Sequence, residues 1–217
     1  MGALMDAKSP SGAGLMDFGV GARALGGEPE SGDLHLVQPF RDGLLVAVAD
    51  GLGHGPEAAH AARTAMAVLV AAPGESPLRL VEQCHRALAR TRGVVLSLAS
   101  FDARLSTMTW LGVGNVEGAL MRPGDRGYRK RDTVELRGGI LGHRLPPLRA
   151  STVELLSGDV LLLATDGIRF GFVEALKPGL APQDIAQDIL SRYGKTTDDA
   201  LVLVGRWTSR AAMGGRP

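Results

Sequence analysis

Cysteine is almost absent from this chain, and Cys84 stands alone. A single thiol closes no internal disulfide, and without a Cys-x-x-Cys pair there is no thiol site for zinc or redox exchange. That excludes a disulfide-stapled secreted scaffold and favours a reducing, cytoplasmic setting. Long hydrophobic runs are missing too; none reaches the roughly 18 residues that would cross a bilayer. Met1 to Gly14 carries no continuous apolar stretch, so it does not read as a signal peptide. Neither sign of charge dominates. The 24 Lys and Arg against 23 Asp and Glu leave +1, with no long basic tract to attract nucleic acid or an anionic membrane. Gly51 to Gly55 is glycine-rich but lacks the Lys-Ser/Thr ending of a nucleotide-cradling loop.

What is present is an ordinary globular balance. Of 217 residues, 45% are apolar and 22% charged, enough to bury a sizeable core. One domain is expected over 15–207, after a flexible lead-in at 1–14 and before a disordered tail at 208–217. Strand-like segments come first: 15–23, 34–37 and 44–49, the last an unbroken apolar run of the kind covered on both faces. Pro56 and Glu57 suit a first helical turn, and 58–72 is Ala-rich and helix-favouring. A second helix starts at Ser76-Pro77 and is closed by Gly93. Strands return at 94–101, 107–113 and 116–121, followed by a loop through Pro123-Gly124-Asp125. Segments 152–156 and 160–164 flank Ser157-Gly158-Asp159, which reads as a hairpin turn. A helix over 181–192 and a strand over 200–207 complete the order. That order predicts an α+β sandwich with mainly antiparallel pairing. Cys84 falls on a helix, where packing is its expected role, and Trp110 and Trp207 fall on core strands.

The informative feature is where the carboxylates sit. Asp50 and Asp166 each end an apolar strand and each precede a glycine, whereas Asp33 and Asp198-Asp199 stand just before strands begin. In an antiparallel sheet the end of one strand lies beside the start of its neighbour. These acids are therefore expected to meet along one edge. Carboxylates that close repel and call for a cation, and hard oxygen ligands suit Mg²⁺ or Mn²⁺ rather than zinc. Taken singly, each Asp has an ordinary reading as a turn or cap residue.

Val46-Ala47-Val48-Ala49-Asp50-Gly51-Leu52-Gly53-His54-Gly55 resembles the signature of the metal-dependent serine/threonine protein phosphatases (PPM, or type 2C) of the SpoIIE-like bacterial branch. Glu30-Ser31-Gly32-Asp33 resembles the upstream acidic motif. Leu161 to Gly167 resembles the second Asp-Gly strand, and Asp198 to Val204 the closing acidic strand. In the middle, Cys84 to Leu88, Thr91 to Gly93, Gly112-Val113-Gly114-Asn115-Val116 and Gly138 to Gly142 are similar to the RsbX-type stress-signalling phosphatases.

The resemblance implies a four-layer αββα sandwich, two mainly antiparallel sheets flanked by helices. It implies two divalent ions, Mn²⁺ or Mg²⁺, with Asp50 bridging them and the Gly51 carbonyl on one. Asp166 and Asp198 would bind the other, and Asp33 would hold an ion directly or through its water. Catalysis would run through Asp50, Asp166 and Asp198 by way of water activated at the metals. Asp199, His54 and Arg23 are further candidates. Asp199 falls where many relatives carry Asn and would orient Asp198. The position that holds a proton-donating His in many relatives is Leu52, with His54 nearby. Arg23 is the Arg available upstream for a phosphate clamp. The implied partner is a phosphorylated regulator of STAS-domain type in a stress-response or sigma-factor pathway. Two other readings stay open: a phosphatase-like phosphoprotein-binding module with weak turnover, and a hydrolase of small phosphoesters.

Overall fold

The computed structural model describes residues 14–208 apart from residue 126, so the expected lead-in and tail fall outside it except for Gly14 and Thr208. Its strands and helices follow the predicted order. They are β1 (Met16–Arg23), β2 (Asp33–Phe40), β3 (Gly43–Gly51), α1 (Gly55–Ala71), α2 (Pro77–Ala87), β4 (Val94–Asp102) and β5 (Thr107–Val113). Then come β6 (Glu117–Gly124), β7 (Gly127–Thr133), β8 (Leu136–Arg137), β9 (Ser151–Glu154), β10 (Val160–Ala164), α3 (Pro182–Tyr193) and β11 (Ala200–Trp207). One sheet is ordered β1-β11-β10-β6-β7, the other β2-β3-β4-β5-β8 with β9 also paired to β5. Pairing is antiparallel except between β5 and β8.

Period-two alternation builds the layers. Along β3, Leu44, Val46 and Val48 enter the layer between the sheets, where they share a cluster with Leu161, Leu163, Leu201, Leu203 and Trp207 of the opposite sheet. Leu45, Ala47 and Ala49 face the other way, onto α1 and α2. The small Ala61, Ala62 and Ala65 let α1 lie close on that face. On the far side, Val160, Leu162, Val202 and Val204 pack against Ile185, Ala186 and Ile189 of α3. The result is the expected αββα sandwich, and it explains why β3 is apolar without a break from Leu44 to Ala49 and β10 throughout. Trp110 and Trp207 are both buried, the latter stacked on Phe101 with ring centroids 5.4 Å apart. Cys84 is buried against α1, and burial pushes its thiol up to about 12. Among the described residues no helix is long and apolar enough to cross a membrane.

Two expectations need correction. Segments 152–156 and 160–164 do not form a hairpin, because β9 pairs with β5 while β10 lies in the other sheet between β11 and β6. The turn between them carries the chain from sheet to sheet. Its Asp159 is fully buried and takes a two-pronged ion pair from Arg122, whose Nε and Nη2 donate at 2.8 and 2.7 Å. The loop expected around Pro123-Gly124-Asp125 is the tip of a β6–β7 hairpin. β7 carries Arg129, Lys130 and Asp132 on a sheet edge, and charged edge strands lack the apolar alternation by which strands are read.

Candidate metal centre

Strand parity delivers carboxylates to one end of the layer between the sheets. Asp50 continues the inward series Leu44, Val46, Val48, and Asp33 is its direct cross-strand partner. In the other sheet, β10 runs into Thr165 and Asp166, and the neighbouring β11 is entered through Asp198 and Asp199. A side-chain bond ties the two sheets there: the Thr165 hydroxyl donates to Asp33 Oδ2 at 2.7 Å. The same hydroxyl oxygen accepts the Leu201 amide at 3.0 Å. Both Asp-Gly pairs have a steric reason. A Cβ on Gly51 would stand 2.1 Å from the Ala58 carbonyl oxygen of α1, and one on Gly167 would stand 1.8 Å from the Asp199 carbonyl oxygen.

Above this edge lies an open cleft of about 830 Å³ whose lining includes Asp50, Asp166, Asp198, Asn115, His54 and Arg144. Asp33 is 4% exposed and lies outside that lining. Its carboxyl is pushed up to about 7 by burial, then by Asp199, Asp166 and Asp198, with the Thr165 bond opposing. Asp50 is pushed up to about 8 by burial first and then by Asp33, Asp166, Asp198 and Asp199. Asp198 is raised by burial and by Asp166. Lys195 opposes the rise only at Asp198, so the acids that lift one another are undercompensated, and a divalent ion would supply the missing positive charge. The donors are all oxygen, which fits Mg²⁺ or Mn²⁺.

The carboxylates are gathered but not yet turned onto a common point. Among the described residues, no three acidic, His or Cys side chains form a ready ligand set. Most already have a partner. Asp166 Oδ2 accepts from Asn115 Nδ2 at 2.9 Å, and Asp198 Oδ1 accepts the Asp199 amide at 2.9 Å. Asp33 accepts from Thr165. Asp199 does more than orient its neighbour: its two oxygens accept the amides of Leu25 and Gly32, each at 2.7 Å, and so fasten the loop that leads into Asp33.

The remaining candidates separate. His54 lines the cleft, and its Nδ1 lies 2.6 Å from Glu28 Oε1. Leu52 also lines the cleft but packs partly into the core. Arg23 does not line it; its guanidinium donates to the Lys195 carbonyl. Thr165 and Asn115 lie within the matched motifs but are not among the expected site residues. Thr165 had a readable signal, since it continues the inward series Leu161, Leu163. Asn115 had none, because its partner is 51 residues away.

The two sheets flanked by helices match the fold of solved PP2C-type phosphatases. A crystal structure of RsbX in complex with magnesium aligns with a TM-score of 0.77 at 21% identity, covering 89% of this chain and 96% of that one. A structure concerned with the bacterial stressosome, a modular system adapted to control secondary messenger signalling, aligns at 0.79 with 31% identity. It covers 88% of this chain and 99% of the other. Phosphoserine phosphatase RsbX of Bacillus subtilis (strain 168) is 23% identical over 181 residues, which is 83% of this chain and 89% of that protein. The chain belongs to the SpoIIE family (stage II sporulation protein E), which matches residues 41–208.

Proposed function

We propose that this chain is a metal-dependent phosphatase that hydrolyses phosphoserine or phosphothreonine on a partner regulatory protein. The observation that carries the reading is the meeting of acids from both sheets at the floor of an open cleft. Asp33, Asp50, Asp166 and Asp198, with the Gly51 carbonyl, would hold two divalent ions. Bound there, Mg²⁺ or Mn²⁺ would activate water and neutralise the phosphoryl oxygens.

The chain's own residues prepare that site. Burial and mutual repulsion make Asp33 and Asp50 poor places for a free negative charge and good places for a cation. Asn115 holds one oxygen of Asp166 and leaves the other for an ion. Thr165 fixes Asp33 from across the sandwich. Asp199 ties down the 25–32 loop. His54, braced by Glu28, is the imidazole that lines the cleft and could return a proton to the leaving oxygen.

The partner we favour is a phosphorylated STAS-type regulator in a cytoplasmic stress-response or sigma-factor pathway. Support comes from the RsbX and stressosome relatives, an analogy of fold and family. The test is phosphate release from phosphoserine substrates with Mn²⁺, with EDTA, and with Asp50→Asn. Release that survives both chelation and substitution would sink the metal reading. A phosphoprotein-binding module is the second reading, favoured by Leu52 standing where a proton-donating His is expected. Tight binding of a phosphoprotein without turnover would select it.

A further inference from the structure

Asp50, Asp166 and Asp198 give the cleft three carboxylates, which suit cations, and a cationic side chain on its wall would add a contact for the substrate's anion. Among the described lining residues, Arg144 is the sole Lys or Arg. Its side chain makes no ion pair or hydrogen bond within the described residues, and it is exposed. The other arginines near this end are engaged. Arg92 pairs with Glu57, and Arg23 donates to the Lys195 carbonyl.

The backbone that carries Arg144 is pinned. Ile140 and Arg144 exchange both amide–carbonyl bonds at 2.9 Å, which closes a tight bridge. Leu141 is fully buried and exchanges bonds with Val94 at 2.9 and 3.1 Å. The Gly142 amide donates to His85 Nδ1 at 3.0 Å, and His143 Nε2 stands 3.0 Å from the Arg92 carbonyl. The loop is thus fastened at successive residues to α2, to β4 and to the segment between them. Gly138 and Gly139 also line the cleft; a Cβ on Gly138 would meet open space, whereas one on Gly139 would stand 2.7 Å from the Arg144 carbonyl oxygen, so that glycine lets the bridge close. An unpaired guanidinium on a rigid loop, lining the cleft beside a site for cations, has the form of an anion clamp.

We propose that Arg144 is a phosphate-binding arginine of this protein, gripping the phosphoryl oxygens of the substrate from the wall of the cleft that the carboxylates also line. It takes the part that Arg23, bound elsewhere, does not. The inference rests on the phosphatase reading for its substrate class, a phosphoserine or phosphothreonine side chain, but not for the anion contact itself. Arginine fits the task because its fork matches two phosphoryl oxygens, whereas lysine offers a point charge.

The experiment compares wild type, Arg144→Ala and Arg144→Lys in Mn²⁺. KM is measured on p-nitrophenyl phosphate and on a phosphoserine peptide, and inorganic phosphate binding by calorimetry. Because Arg144 is exposed, the melting temperature should not move, which separates the effect from misfolding. In Arg144→Ala we expect KM on both substrates and the phosphate dissociation constant to rise together by tenfold or more, with partial recovery in Arg144→Lys. Phosphate binding unchanged in Arg144→Ala overturns the proposal, even if KM for the peptide alone rises. A wild type that binds phosphate through Arg144 yet releases none from any ester overturns the phosphatase reading and leaves the clamp standing. Turnover of both substrates by wild type and Arg144→Ala alike, with equal KM, overturns the clamp and leaves the phosphatase reading standing.

Discussion

Thr165 and Asp33 lie 132 residues apart and in different sheets, yet the hydroxyl of one donates to the carboxylate of the other at 2.7 Å. The hydroxyl accepts the Leu201 amide at the same time, so its proton is directed at Asp33. Removing it by Thr165→Val keeps the shape and leaves a buried carboxylate short of one donor, at a cost of about 1–3 kcal/mol. Asp33 would also lose what orients it, and such supporting contacts typically cost 10–100-fold in metal affinity or activity. Thr165→Ser, which retains the hydroxyl, should restore most of both. Calorimetric Mn²⁺ binding checks the affinity and a thermal melt the stability; a Val variant equal to wild type in both would remove Thr165 from the site.

The acidic edge makes stability depend on pH in a definite direction. Asp33 and Asp50 have carboxyls pushed up to about 7 and about 8 from an ordinary 3.8. Between pH 4 and pH 8 the folded protein therefore holds protons that the unfolded chain has released, so stability falls as pH rises through that window. Below pH 4 both states are protonated and this contribution to the slope vanishes. Divalent ions should oppose the trend, since their ligands must be ionised and binding to the folded state stabilises it. Melts in EDTA at pH 5, 6.5 and 8 should fall in that order, and added Mn²⁺ should raise the pH 8 value most. Asp50→Asn should abolish phosphate release yet melt above wild type in EDTA at pH 8, because it deletes one of the repelling charges. A variant less stable there would mean that Asp50 supports the fold rather than straining it.

At the opposite end of β10, Asp159 carries a charge with a different purpose. It is fully buried, takes both prongs of Arg122, and accepts the Leu156 amide at 2.9 Å. Arg122 Nη2 also reaches the Glu154 carbonyl at 3.2 Å, so this ion pair joins β6 and β10 of one sheet to β9 of the other. Asp159→Ala leaves a guanidinium without its partner, which typically costs 3–5 kcal/mol, or on the order of 10 °C in melting temperature for a chain of this length. Phosphate release per folded molecule should stay at the wild-type rate. A matching loss of turnover at a temperature where the variant is fully folded would contradict a purely structural role.

These two ends of β10 show what the sequence made legible. The acids of the cleft were readable because each sits where an apolar strand stops or starts, and antiparallel pairing turns such positions into neighbours. Period-two parity even carried their direction, inward with Leu44, Val46 and Val48 for Asp50. Asp159 had the same Ser-Gly-Asp dress as a surface turn, and nothing local marked its burial. Its partner Arg122 is 37 residues away. The β6–β7 hairpin was hidden for a related reason, because an edge strand gains its place from backbone pairing rather than from apolar side chains. The spacing of Asp199 points only to its neighbour Asp198, and its tie to Leu25 and Gly32 depends on a loop fold that no spacing encodes.

Asn115 tests whether support from the side of the cleft matters as much as support from within the sandwich. Its amide must present nitrogen to Asp166, because an ionised carboxylate only accepts. The bond engages Oδ2 and fixes the plane of the carboxylate, leaving Oδ1 directed by default. Asn115 is exposed, so Asn115→Ala should leave the melting temperature unchanged. Asp166 would then rotate freely, and its entropy would be lost only when an ion binds. The Mn²⁺ needed for half-maximal phosphate release should rise 10–100-fold, and calorimetry should show the weakening at one of the two ion sites. Activity at saturating Mn²⁺ should approach that of wild type, since the ligand itself is still there. If saturating metal fails to restore turnover while binding is normal, Asn115 touches the substrate instead of serving Asp166.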